Sequence, residues 1–533
     1  MRSLAATALV AFILGVWPLA ACDSPPQIID IQPERGAGQV RSNEPVRIRF
    51  DRPVDQQSVA ARFGVTPRTA GKISWESASS LIFQHESFQP DTTYSISLGP
   101  GYRDAHGIAN PLRHSWSFVT ESPPALRSTA PGSGEQDVDP TAYLLLNYSR
   151  DMDPQSFTGA VTFSPEVSYA VRVDASDARR VVIAPRSVLD PLSRYQVTVT
   201  GDARDIDGNR APPVQITFTT GAARPLTHWI TFVAAAAGGQ PGEDIWMVDE
   251  QGFPRVLAEG PADAFTVSPD GTHLLIQHPE LRWTDYQTGG ASLDLSIEAV
   301  SAAWLGPGHG YVYLTPTGEL LRRLADGSDS QIASGVRDFA VAPELTRVAF
   351  VVGKGSGDEI RGYDVSLRSQ YRIQAETGAV RDLRWAPNGN SLAYVLKAAL
   401  DQLRIKSLTG AGRTVTAATG QLSSPAWLGD TGDLVFQAAV DVKGVRHWRI
   451  YRVGASVTAP ITPTATDFLG SALDTDMTSP TASADGHQIA FLAGASTSSQ
   501  VWLMNADGTG MRRLTAYDAT AFPFACVDLH WAG

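Results

Sequence analysis

The chain has 533 residues, with 43 Lys and Arg against 55 Asp and Glu for a net charge of −12, and 43% of its residues are hydrophobic. At about 100–200 residues per domain this is a multidomain chain, and its apolar content excludes a mainly disordered one. The acidic balance excludes a general nucleic-acid binder, which needs a basic face, and the two cysteines, Cys22 and Cys526, exclude a disulfide framework.

Residues 1–21 predict an export signal. Arg2 supplies one positive charge, and the apolar run from Leu4 to Leu19, interrupted by Gly15 and Pro18, is short for a hydrocarbon core of about 30 Å. The run Leu19-Ala20-Ala21-Cys22 resembles the lipobox of bacterial lipoprotein signal peptides. That resemblance implies cleavage before Cys22, acylation of its thiol, and a lipidated linker over residues 22–26 that attaches the chain to a membrane. Each buried CH₂ contributes about 0.8 kcal/mol, so more than one acyl chain is needed for stable attachment. Asp23 resembles the signal that holds some enterobacterial lipoproteins at the inner membrane, and reads equally well as an ordinary linker acid; the choice of membrane stays open. With Cys22 lipidated, Cys526 is expected to be an unpaired, buried small hydrophobe.

A repeat of about 100 residues follows. Val46–Asp55 pairs with Leu144–Asp153, Thr93–Leu98 with Arg194–Val199, and Trp116–Thr120 with Ile216–Thr220. Apolar and polar residues alternate at these places, which signals half-buried strands. Short strands and turn signals at this length predict two Ig-like sandwiches, residues 27–120 and 123–220. The phrases Phe50-Asp51-Arg52-Pro53-Val54-Asp55, Phe88-Gln89-Pro90-Asp91-Thr92-Thr93-Tyr94 and Trp116-Ser117-Phe118-Val119-Thr120 resemble the SbsA-type bacterial Ig-like domain. The resemblance implies spacer or adhesive modules with no catalytic residues.

Within the second unit, Asp205-Ile206-Asp207-Gly208-Asn209 has the alternating oxygen ligands and turn glycine of a calcium loop, which makes Asp205, Asp207 and Asn209 candidate metal ligands. The bidentate acid that an EF-hand loop needs near Ile216 is missing, and Asp104-Ala105-His106-Gly107 stands at the same place in the first unit. A hydrogen-bonded turn is therefore the favoured reading.

From His228 to Gly533 a shorter period appears. Seven segments run from an apolar strand into a turn, anchored on Val267, Trp304, Val341, Trp385, Trp427, Ala482 and Trp531; their spacing brackets the roughly 40–45 residues of a four-strand propeller blade. A second strand follows most of the turns, as in Leu274-Leu275-Ile276 and Ile489-Ala490-Phe491. Regular hairpins with no helical period predict a radial β architecture. Phe265-Thr266-Val267-Ser268-Pro269-Asp270-Gly271, and Ala484–Phe491 followed by Met504–Thr515, resemble the TolB-like, WD40-like propeller repeat; residues 301–335 and 422–462 match more loosely. Asp528-Leu529-His530-Trp531 is a first strand with nothing after it, whereas residues 229–232, 245–247 and 255–257 are later strands with no first strand before them. Joining them closes a ring of seven blades and leaves no bare edge; six blades, the common TolB-like number, is the alternative.

Trp304, Trp385, Trp427 and Trp531 recur at one place in the repeat and are expected in blade cores, and Asp270, Asn388, Asp430 and Asp485 are expected to bond their own hairpins. No nucleophile elbow, zincin, Cys-x-x-Cys or P-loop motif occurs, and His228, His273, His278, His309, His447, His487 and His530 are dispersed among the repeats. No catalytic residue, cofactor or metal set is assigned.

The fold class expected is all-β: two tandem Ig-like β-sandwiches followed by a seven-bladed (alternatively six-bladed) β-propeller whose C-terminal strand closes the ring. The function expected is a lipid-anchored binding or scaffold protein of the cell envelope. Its sandwiches hold the propeller, residues 228–533, away from the membrane, and the propeller face takes a protein or glycan and no nucleic acid. Two alternatives stand beside it: a lyase or hydrolase acting on an envelope or extracellular polymer in the propeller funnel, and a structural spacer or adhesin.

Overall fold

The computed structural model describes residues 24–531 apart from 175, 227, 236–240, 291, 307–309, 325, 398, 418–419, 472 and 517–521. The leader, the lipobox with Cys22, and His309 lie outside the described residues. The described chain is all-β, and none of its helices is long and apolar enough to cross a membrane.

The first unit builds two sheets around one core. One sheet holds Ile28–Gln32, Val46–Phe50, Ser80–His85 and Gly71–Ser77 in spatial order; the other holds Phe63–Thr66, Thr93–Leu98 and His114–Val119. Alternation decides the faces: Val46, Ile48 and Phe50 are buried with Leu81, Ile96 and Phe118, and Arg47 and Arg49 take the opposite face. The second unit repeats this plan. Tyr169–Asp174, Asp177–Pro185, Leu144–Tyr148 and Leu126–Ala130 form one sheet, and Val161–Ser164, Arg194–Val199, Val214–Thr220 and Glu135–Val138 the other.

The repeated phrases have structural duties. Asp55 and Asp153 each cap a short helical turn, accepting from the backbone N–H of Gln57 and Gln155. Tyr94 Oη accepts from Gln89 N at 3.0 Å, and Tyr195 Oη from Asp190 N at 2.9 Å. Thr120 and Thr220 donate their hydroxyls to the carbonyls of Gln89 and Asp190, both at 2.6 Å. One tyrosine and one threonine thus satisfy the same buried corner in both units.

Residues 230–531 form seven antiparallel sheets, here I–VII. Sheet I contains Ile230–Ala235, Pro241–Val248 and Arg255–Ala262, and takes Ala525–Trp531 as a fourth strand antiparallel to Ile230–Ala235. The first strands of sheets II–VII are Ala264–Val267, Ser301–Trp304, Val336–Val341, Ala379–Trp385, Leu422–Leu428 and Met477–Ala482. Sheet VI has three strands and the others four. Neighbouring sheets share apolar clusters: Val351 of IV with Leu383 of V, Leu403 of V with Phe436 of VI, and Ile450 of VI with Phe491 of VII. Sheet I packs in both directions, on VII through Phe232, Leu503 and Cys526 and on II through Met247 and Leu274. Its strand Ala525–Trp531 lies beside the first strands of both VII and II.

One detail recurs along these first strands. The register shifts between Arg381 and Arg384, between Ser423 and Ala426, between Thr478 and Thr481, and again opposite Thr231–Val233. At those bulges Asp382, Ser424, Ser479 and Asp528 hold positive φ values of 56°, 53°, 52° and 49°. A bulge re-aims its side chain, and the acids use this to stitch one sheet to the next. Asp382 Oδ2 accepts from Ser424 N at 3.3 Å and Asp528 Oδ2 from Phe265 N at 3.2 Å; Asp338 Oδ2 of sheet IV accepts from Leu383 N at 3.2 Å.

Sheet VI departs from the repeat. Residues 454–476 replace its fourth strand and are held by the buried Arg449, whose guanidinium donates to the carbonyls of Thr475 and Leu473 at 2.7 and 2.8 Å. Asp270, Asn388 and Asp485 do bond their hairpins, accepting from Thr272 N, Asn390 N and His487 N. In sheet VI a 3₁₀ turn over Gly429–Thr431 alters the geometry, and Thr431 takes the role expected of Asp430 by donating to Leu428 O at 2.6 Å.

The four recurring tryptophans all pack in apolar clusters, those of Trp385 and Trp427 shared between two sheets. Trp385 is buried, but Trp304, Trp427 and Trp531 are half-buried. Trp385 Nε1 donates to Ala340 O of the preceding sheet and Trp427 Nε1 to Arg384 O.

Candidate functional site

The first strands of sheets V, VI, VII and I enclose a cavity of about 400 Å³, and its walls carry Arg384, Trp385, Trp427, Asp528 and His530. In sheets V–VII the first strand runs from the connector of the preceding sheet to its own first turn, and Arg384, Trp385 and Trp427 stand near that end. His530 Nε2 lies 3.1 Å from Asp528 Oδ1, and the ring meets Phe265 edge-on at 4.8 Å. Burial pushes the Asp528 carboxyl up, but the His530 ring, the Phe265 N–H and Arg384 outweigh it and hold the carboxyl below the ordinary range. Asp338 goes the other way: burial raises it, and the Leu383 N–H and Arg384 oppose that only in part. The cavity thus offers a guanidinium, an imidazole–carboxylate pair and indole faces within one concavity, a set suited to gripping a side chain or a sugar by stacking and charge-assisted bonds.

The second sandwich and the linker after it dock at the first-turn end of the sheet array. Leu226 N donates to Gly271 O in the first turn of sheet II, and Val256 N donates to Arg186 O. Arg255, fully buried, donates to Thr141 O at 2.7 Å and lies 4.0 Å over the Tyr143 ring.

The structure brings Asp205, Asp207 and Asn209 together at the junction of the two sandwiches. Asp205 Oδ1 accepts from Asp207 N at 3.0 Å and Asn209 N at 2.8 Å, and Asp104 Oδ1 in the first unit accepts from His106 N and Ile108 N, both at 2.9 Å. Gly208 and Gly107 hold matching φ values of 90° and 89°. The loop is a hydrogen-bonded turn in both units. Glu121 of the linker joins it, accepting from Asn209 Nδ2 at 2.7 Å. Glu121, Asp205 and Asp207 lie close enough to share a cation, but guanidinium groups already meet their charge. Arg150 pairs with Glu121 and Asp205, and Arg41 donates to Asp207 at 2.7 Å.

Sequence reasoning missed Glu121, Arg150 and Arg41. Arg150 stands where Arg52 stands in the first unit, so its repeat position held no sign that it would face a neighbouring domain. Among the described residues no histidines gather into a metal-holding group, and His530, His273 and His447 each pair with a separate acid, Asp528, Asp285 and Asp476.

Two Ig-like units followed by a fan of antiparallel sheets define a modular all-β chain. Residues 23–120 and 121–220 each match the family model of the bacterial Ig-like domain. Among solved structures, TolB from Acinetobacter baumannii is similar at 12% identity over 70% of this chain and 83% of that one, with a TM-score of 0.38. A TolB-like protein from Agrobacterium tumefaciens is similar at 14% identity over 54% and 87%, with a TM-score of 0.34. The β-propeller domain of Cps50 (Swd1) from Myceliophteria thermophila is similar at 11% identity over 52% and 96%, with a TM-score of 0.37. No curated protein matches the sequence.

Proposed function

We propose that the chain is a lipid-anchored binding and scaffold protein of the cell envelope. Its two Ig-like domains hold a closed seven-bladed ring away from the membrane, and the central cavity of that ring takes a protein or glycan partner. The observation that carries this reading is the cavity itself, where four consecutive sheets set Arg384, Trp427 and His530 around one opening. Closure is supported by the pairing of Ala525–Trp531 with Ile230–Ala235 and by its place between sheets VII and II. The anchor rests on Leu19-Ala20-Ala21-Cys22.

Affinity capture from envelope extracts with the full chain tests the reading. A partner retained by the native chain and lost with Arg384→Ala or Trp427→Ala supports it; a partner retained equally by both variants overturns it. Cys22→Ala is expected to move the chain into the soluble fraction, and a variant that stays with the membrane sinks the anchor.

A further inference from the structure

A second concavity, of about 680 Å³, lies between sheets V and VI and carries Arg381, Lys397, Asp401, Gln421, Arg446 and Trp448 on its walls. Its position follows from the strand connectivity. Each hairpin reverses direction, so first and third turns share one end of the ring while second turns and connectors share the other. The linker after the second sandwich contacts a first turn at Gly271, and the sandwich itself contacts a third turn at Gly289, beside Pro191. Lys397, Asp401 and Arg446 flank second turns, and Gln421 lies on a connector. The groove therefore opens on the end facing away from the sandwiches.

Its charge runs against the rest of the molecule, whose net charge is −12. Asp401 is already engaged, accepting from Arg381 at 2.8 Å, while a second contact ties Arg381 to Leu422 O at 2.7 Å. Lys397 and Arg446 are exposed, and among the described residues neither has an anionic partner. Trp448, half-buried, adds an aromatic surface to the same wall. Two free cations beside an indole match a pyranose ring bearing a carboxylate: the sugar's C–H face lies on the indole and its charge falls between lysine and arginine.

We infer that this groove binds an anionic saccharide of the uronate class, at a site separate from the central cavity. Exposed charges contribute little singly, so affinity grows with the number of linked uronate residues.

Calorimetric titration of the full chain with tetragalacturonate, the matching neutral galactose tetrasaccharide and inorganic phosphate tests this. Saturable uronate binding is expected, with none for the neutral sugar, and added salt weakens it. The double variant Lys397→Ala/Arg446→Ala removes two exposed contacts, and is expected to weaken uronate binding about tenfold while leaving the melting temperature unchanged. Trp448→Ala weakens the uronate and leaves phosphate where it was. Gly420→Ala is a second probe, because a Cβ there meets Arg446 Nη2 at 2.5 Å and displaces the guanidinium without removing its charge; it weakens uronate binding too. Absence of saturable uronate binding, equal binding of the neutral sugar, binding indifferent to the double variant, or phosphate bound as tightly as uronate would each overturn the inference.

Discussion

The two junctions along the chain are built from opposite materials. Between the sandwiches, the contact is charge on charge: Arg150 with Glu121 and Asp205, and Arg41 with Asp207. The apolar clusters of the two units stay separate there. Between the second sandwich and the sheets that follow it, the contact is aromatic. Arg255 lies 4.0 Å over Tyr143 and 5.4 Å from Trp229, Arg172 lies 3.8 Å over Phe253, and Phe253 meets Tyr143 at 5.5 Å. Two apolar clusters cross this boundary, joining Tyr143 and Val188 to Met247 and Leu257, and Val182 and Ala184 to Phe253. The acids of the first junction are buried while Arg41 and Arg150 keep part of their surface in solvent, so salt screens these pairs only weakly, and it leaves the buried aromatic contacts untouched. The first junction is held by ion pairs and hydrogen bonds, and the second shares apolar clusters between the sandwich and the sheets that follow it.

The sharpest break in that contrast is Arg255→Ala. It strips a buried guanidinium from Thr141 O and two rings, and is expected to cost about 3 kcal/mol in denaturant unfolding. Limited proteolysis then cuts near residues 221–229 in the variant and not in the native chain. Glu121→Ala attacks the other junction, leaving Arg150 and Asn209 without their shared carboxylate. A loss of about 2 kcal/mol from the sandwich pair is expected, and unfolding of the ring should not move.

Alkali separates the two junctions by chemistry. Burial holds the Tyr143 phenol well above its ordinary value, with Arg255 opposing in part. A raised folded-state pKa means that this contribution is complete below the unfolded value of about 10 and drains away as pH climbs toward the folded one. The second junction is expected to loosen as pH climbs past about 10, and Tyr143→Phe removes this residue's share of the slope in pH-dependent melting while the other buried tyrosines, such as Tyr394 and Tyr451, keep theirs. The smallest effect is salt: raising it from about 0.1 to 1 M should weaken the first junction by less than about 1 kcal/mol. Distances between labels on the two sandwiches should broaden, while sandwich-to-ring distances hold.

Strand alternation made the sheets legible from the residues, and the repeat placed Asp205 and Asp104 in equivalent turns before any contact was known. The lone first strand near residue 528 pointed to its partner across the sequence because a bare edge is unfavourable. What escaped was the use of arginine. In a strand, Arg255 and Arg449 read as solvent-facing, and their burial depends on carbonyls of Thr141, Leu473 and Thr475 that local pattern cannot bring near. The junction cluster escaped for the same reason, since Glu121, Arg150 and Asp205 meet only after two domains have folded. The missing strand of sheet VI did leave a trace: Pro460 and Pro463 have no N–H to give a ladder.

The pairing of Thr231 with His530 joins residues 299 positions apart, so this contact waits for all the sheets between them to emerge, and contacts of such separation form slowly. Cys526 rides on that final strand, wholly buried, its thiol pushed up to about 12 by burial. It stays unreactive once the strand is home and is exposed to any alkylating reagent before then. In a Cys22→Ala chain the Cys526 thiol is the one left, and it serves as a clock for assembly: the fraction of molecules that take up label at each moment counts those whose seam is still open.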